Sequence, residues 1–127
     1  MESLTDSREP VKRGRPRLLR HATLARNLPA ILRAGLLCSK SRGKKPVVWA
    51  CSPGKTPWAC LHVVRRHGGK AQEVVVLEIT APRAWLKRHG GKTSGLWYST
   101  RDIGPGRIRG VITFGELSRS PAGEVNS

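Results

Sequence analysis

The stretch "KRGRPRLLRHATLARNLPAILRAGLL", residues 12 to 37, decides how the chain is read. It opens on a basic arm, Arg13-Gly14-Arg15-Pro16-Arg17. An apolar run from Arg17 to Ala22 follows and predicts a short strand, with His21 at its end. Asn27 then suits a helix N-cap. Pro29 falls in the first helical turn, where its missing N–H costs nothing. Leu28, Ile31, Leu32 and Leu36 form one apolar stripe, and Gly35 ends the helix. Arm, strand and amphipathic helix thus succeed each other without a linker.

Outward from there the pattern repeats. "SKSRGKKP", 39 to 46, is a basic loop. "VVWAC", 47 to 51, is a continuous β-type run, as expected of a strand buried on both faces. Thr56-Pro57 predicts a helix start, and the helix runs to His67 and stops at Gly68-Gly69. "EVVVLEIT", 73 to 80, predicts a strand with Val75, Leu77 and Ile79 on one face and Glu78 beside Val74 and Val76 on the other. A short helix is expected from Arg83 to His89, stopped at Gly90-Gly91. Strands follow at 96 to 100 and 109 to 115. The near-repeat "RRHGGK" and "KRHGGK", at 65 to 70 and 87 to 92, reads as two helix C-termini: basic residues suit the last turn and glycine suits the position after it. The order defines one small α+β domain over 17–117, with a basic flexible arm at 1–16 and a disordered tail at 118–127.

Charge narrows the partners. The 127 residues hold 24 Lys and Arg against 8 Asp and Glu, a formal net charge of +16. Such a surplus points to polyanions such as nucleic acid, DNA or RNA, or to anionic substrates. From Pro10 to Gln72 there are 15 Lys and Arg and no carboxylate. Acid–base chemistry must therefore draw on Glu73, Glu78, Asp102 or Glu116. Three cysteines without paired spacing match no zinc pattern, so no metal is expected. No apolar run approaches the ~20 residues of a membrane span. The N-terminal residues have no secretory apolar core, and the default location is cytoplasmic or nucleoid-associated. No strand–helix turn has a dinucleotide or phosphate-loop glycine fingerprint.

The ordered features "RLLRHAT…NLPAILRAGLL", "VVWACS" and "RDIGPGRIRGVI" resemble the ADP-ribosyltransferase-like superfamily. The resemblance spans roughly residues 17 to 114. It implies a split, strongly bent β-sheet with short flanking helices that holds NAD, or an ADP-ribose-type intermediate, in its cleft. It further implies that His21 bonds the ribose next to nicotinamide, that Thr23 bonds the ligand or caps the next turn, that Trp49 packs on the base, and that Ser52 is the nearest hydroxyl. Many members place a Glu on a late strand. Here "GLWYSTRDIGPG" has none, and Arg101 and Asp102 are the candidates to assist catalysis. A branch resembling tRNA 2′-phosphotransferase works with Arg and His instead, on an RNA 2′-phosphate.

"KRGRPR" also resembles an AT-hook core, whose arginines lie in the narrow minor groove of A·T-rich DNA. Lys12, Arg13, Arg15, Arg17, Lys44 and Lys45 are the expected nucleic-acid contacts. Trp58, Trp85 and Trp97 are assigned to core or interface, and Glu78 to a solvated strand face. Two functions of different class follow. One is an ADP-ribosyltransferase-like enzyme using NAD, with nucleic acid as acceptor. The alternative is a non-catalytic nucleic-acid-binding module with an AT-hook-like arm.

Overall fold

The computed structural model describes residues 15–41, 45–68, 70–113 and 116, with the side chain of His67 left aside. The protein is α+β: a six-stranded antiparallel sheet with two short helices. The strands are β1 (Arg17–Leu24), β2 (Val48–Cys51), β3 (Val74–Ala81), β4 (Leu86–His89), β5 (Leu96–Ser99) and β6 (Ile108–Thr113). The helices are α1 (Leu28–Ala34) and α2 (Thr56–His67). Across the sheet the order is β4-β5-β2-β1-β3-β6.

The sheet falls into two halves. β1 pairs with β3 over eight positions, from Arg17↔Ala81 to Leu24↔Val74. By contrast, the paired residues between β1 and β2 are Arg20↔Cys51 alone. β4-β5-β2 and β1-β3-β6 are thus two three-stranded ladders joined at one pair.

Two apolar clusters hold the layers together. On one face Leu19, Val48, Leu77, Ile79, Ala81 and Ile103 are buried, and Leu28 and Ile31 of α1 pack on them with Trp85 and Trp97. On the other face Leu24 and Val74 meet Val63 of α2, with Ala22 and Cys60 at the margin. The strand covered on both faces is therefore β3, where Val76, Leu77 and Ile79 have no exposed surface. Each such side chain contributes about 1.5–3 kcal/mol by leaving water. β2, expected to be buried on both faces, buries Val48 and Cys51 and leaves Trp49 and Ala50 half-buried. The face assignment within β3 is as expected: Leu77 and Ile79 join the first cluster, and Glu78 lies on the side of α2. Glu78 is not on a solvated face, however. Its Oε2 accepts from Arg20 Nη2 at 3.0 Å, with both side chains half-buried.

One expected element is wrong in kind. In place of a helix from Arg83 to His89 there is a 3-10 turn (Arg83–Trp85) and then the strand β4, paired with β5 from Leu86↔Ser99 to His89↔Leu96. The two copies of the hexapeptide therefore differ. Gly68, at φ +67°, closes α2 through its N–H to Val64 O, as a helix cap should. Gly90, at φ +86°, instead lies in the turn of the β4–β5 hairpin, where Arg88 donates to the carbonyl of Lys92. The glycine signal for a left-handed residue holds at both places; the helix expected before it is present at Gly68 and absent at Gly90.

Past α1 the chain is pinned to the segment before β6. Leu36 and Ile103 exchange backbone hydrogen bonds of 2.8 Å in both directions. Gly35 allows this approach: at φ +89°, a Cβ there would stand 2.3 Å from Ile103 O.

Candidate functional site

His21 lies inside β1 rather than at its end, opposite Leu77 of β3. Its place is beside the lapse in pairing between the two half-sheets. Nδ1 is 2.6 Å from the carbonyl oxygen of Trp49. A carbonyl only accepts, so Nδ1 carries the proton and Nε2 of the neutral ring is left as an acceptor. Burial pushes the imidazole pKa below its ordinary value near 6.5, against the smaller opposite pull of the Trp49 carbonyl. His21 is therefore neutral at pH 7, with its tautomer fixed by the seam.

Strand alternation sorts the neighbours. Arg17, Leu19, His21 and Thr23 share the α1 face of β1, and Leu19 marks that face by its core contacts. On β2 and β5 the same face has Val48, Ala50 and Trp97, since Ala50 pairs with Trp97 and both touch that cluster. Trp49 falls on the opposite face. Its ring meets Tyr98 at 5.2 Å and His89 at 5.1 Å between centroids. The seam thus joins His21 to the backbone of Trp49 and turns the indole away from it.

A basic cluster occupies the His21 face. The guanidinium carbons of Arg17 and Arg88 lie 4.3 and 4.5 Å from the centroid of the Trp97 ring. Arg83 is near enough to matter: Arg17 has its pKa lowered first by burial, then by the charges of Arg83 and Arg88. Arg83 Nε donates to the carbonyl of Arg15 at 3.0 Å, which ties the start of β1 to this cluster. The indole Nε1–H of Trp97 is buried and has no hydrogen-bond partner among the described residues. Arg17 is four residues from His21, about 13 Å along the strand at the usual rise.

Other expected site residues have structural partners. Thr23 is buried, and its Oγ1 accepts from Asn27 Nδ2 at 3.2 Å. It thus steadies the turn into α1, while Asn27, the N-cap, makes no capping bond with its own side chain. Ser52 bonds through its backbone, N–H to Gly95 O and C=O from Lys55 N. Asp102 Oδ1 accepts from the Cys38 N–H at 2.7 Å. Arg101 is exposed, and its backbone exchanges hydrogen bonds with Ser99 Oγ. Lys45 Nζ lies 4.7 Å from the Tyr98 ring centroid. Lys12, Arg13 and Lys44, and the tail from 118, are outside the described residues.

All four described carboxylates are engaged: Glu73 on the Lys70 N–H, Glu78 on Arg20, Asp102 on Cys38 and Glu116 on Thr113. None bonds His21. No group of three metal-binding side chains occurs among the described residues. No helix there is long and apolar enough to cross a membrane. Arg83, Arg88 and Trp97 carry no site signal in the sequence, because a helix over 83–89 lacks the alternation that sets Arg88 beside Trp97.

Comparison with known protein families and with curated proteins finds no match.

Proposed function

We propose that the protein is an ADP-ribosyltransferase-like enzyme that takes NAD, or an ADP-ribose-type ligand, along the seam between β1 and β2, with nucleic acid as the acceptor. The observation that carries this reading is His21. It is a neutral, tautomer-fixed imidazole beside the single pair that joins the half-sheets. Such a ring offers Nε2 as an acceptor for a ribose hydroxyl. The fit to the rest of the ligand rests on Arg17, Arg83 and Arg88. Three clustered guanidiniums without a carboxylate among them suit the two charges of a pyrophosphate, and Arg does this with planar, bidentate geometry.

When bound, NAD supplies a glycosidic bond to nicotinamide that breaks as C1′ of the ribose is transferred. The chain's part is to orient the ribose through His21 and to neutralise the phosphates through its arginines. No described carboxylate bonds His21, so orientation of the ribose falls to the imidazole. That same lack of a free carboxylate favours a second reading, a basic module that binds nucleic acid without turnover.

Calorimetric titration with NAD separates them. The enzyme reading expects binding by the wild type and at least tenfold weaker binding by His21→Ala and by Arg88→Gln. It also expects ADP-ribose on an oligonucleotide incubated with NAD. A wild type that binds oligonucleotide but releases no heat with millimolar NAD refutes the enzyme and leaves the module.

A further inference from the structure

The sheet has a second surface, on the face opposite His21. α2 rests on β1 and β3 and so covers one half-sheet on that side. On the other half, β2-β5-β4, alternation brings Trp49, Tyr98, Lys87, Leu96 and His89 to the same face, with Trp49↔Tyr98, Lys87↔Tyr98 and His89↔Leu96 as direct pairs. Trp49, Leu96 and Tyr98 are half-buried; Lys87 and His89 are exposed. The Trp49 indole is flanked by two rings. Tyr98 is tilted at 57° and His89 stands edge-on at 89°. Lys45 brings an ammonium to within 4.7 Å of the Tyr98 centroid. Between residues 45 and 101 the only carboxylates are Glu73 and Glu78, neither of them on these strands.

Aromatic side chains on a sheet face that no described helix covers, interleaved with lysines on strands that hold no carboxylate, meet the two needs of single-stranded nucleic acid. Bases stack on π-faces regardless of sequence, and cations track the phosphates. A duplex keeps its bases stacked on each other and offers only the second interaction. A protein partner would have to be acidic, and an acidic surface would leave the rings without a stacking partner. We propose that the Trp49–Tyr98–His89 face is a platform for single-stranded nucleic acid, with bases on the Trp49 and Tyr98 rings and phosphates on Lys45 and Lys87. It shares the nucleic-acid partner of the reading above and is independent of NAD.

Fluorescence anisotropy with a labelled 12-nucleotide oligo(dT), beside a duplex of equal length, tests this. The variants are Tyr98→Phe, Tyr98→Leu and Lys87→Ala, each checked for a wild-type melting curve. Tyr98→Phe keeps the stacking ring and should bind as the wild type does. Tyr98→Leu keeps an apolar side chain but no π-face and should lose about tenfold on the single strand, with little change on the duplex. Lys87→Ala should reduce the salt slope by ~0.7, one phosphate contact on a single strand. Equal single-strand affinity of Tyr98→Leu and Tyr98→Phe overturns the proposal. A dimer in sedimentation that Tyr98→Leu dissociates also overturns it and assigns the face to a second copy of the chain. NAD binding is measured on the same wild-type preparation. Its absence refutes the enzyme reading of the seam and leaves the platform standing.

Discussion

Stability should fall on mild acidification because of His21, and replacement of this one residue should remove the effect. The imidazole is neutral in the fold, with its pKa lowered by burial. In the unfolded chain it titrates near 6.5. Below that value the unfolded state binds a proton that the folded state resists, so the fold loses stability as pH falls. The stability contributed by the neutral ring is complete above 6.5 and is lost progressively toward the folded pKa. One proton sets a limiting slope of ~1.4 kcal/mol per pH unit. At pH 5.5 the loss from this residue reaches up to ~1.4 kcal/mol relative to pH 8. For a domain of this size that ceiling is a urea midpoint shift of at most about 1 M. The assay is urea unfolding, followed by tryptophan fluorescence, at half-unit steps from pH 5.5 to 8. Wild type is compared with His21→Gln, which retains a donor for Trp49 O but does not titrate. Other groups contribute equally to both proteins and cancel in the difference. The difference should widen steadily below pH 6.5 in favour of the variant. If it stays flat, the imidazole is as well solvated in the fold as outside it, and the seam is open to water at His21.

Gly35→Ala should cost about 2 kcal/mol or more, since it combines φ +89° with a Cβ 2.3 Å from Ile103 O; Gly91→Ala, with nothing within 4 Å, is the control and should leave the melting temperature unchanged. Ile103→Ala, at a fully buried site, should cost about 2–5 kcal/mol in urea unfolding. A double-mutant cycle on Arg20→Met and Glu78→Gln should give a coupling of about 1 kcal/mol, between the values for exposed and buried pairs. The Cys51 thiol, pushed up to about 11 by burial, should resist alkylation at pH 8 in the folded chain and react on unfolding, as read by mass spectrometry.

The sequence was most legible where a local signal and its tertiary context agreed. β1, α1, α2 and β3 all lie within a few residues of their expected places. The alternation in "EVVVLEIT" correctly assigned the faces of β3. Between 83 and 89 the local signals agreed with each other and not with the fold. Leu86 to His89 has no alternating apolar pattern, because β4 is an outer strand whose Lys87, Arg88 and His89 are exposed. Only pairing with β5, seven residues farther on, makes it a strand. The site was half legible for the same reason. His21 could be picked out by its place before the helix. That Trp49 would turn its carbonyl and not its ring toward His21 depends on the register across the seam, which no local pattern encodes. Glu78 needed Arg20, 58 positions away, to be recognised as an ion-paired residue.

The central position of β1 also fixes a timetable during synthesis. Among the described strands it leaves the ribosome first, yet Val74, where its long partner begins, follows Leu24 by 50 positions. At ~5–20 residues per second that delay is roughly 3–10 s. Meanwhile β2 offers it a single pair. An unpaired apolar strand is a template for another chain's backbone, and nascent chains on one message are close neighbours. The sequence "RLLRHATL" meets that hazard with Arg17 and Arg20 set among its leucines. Charge repels a second copy of the strand until β3 arrives with Glu78, the carboxylate that Arg20 then holds.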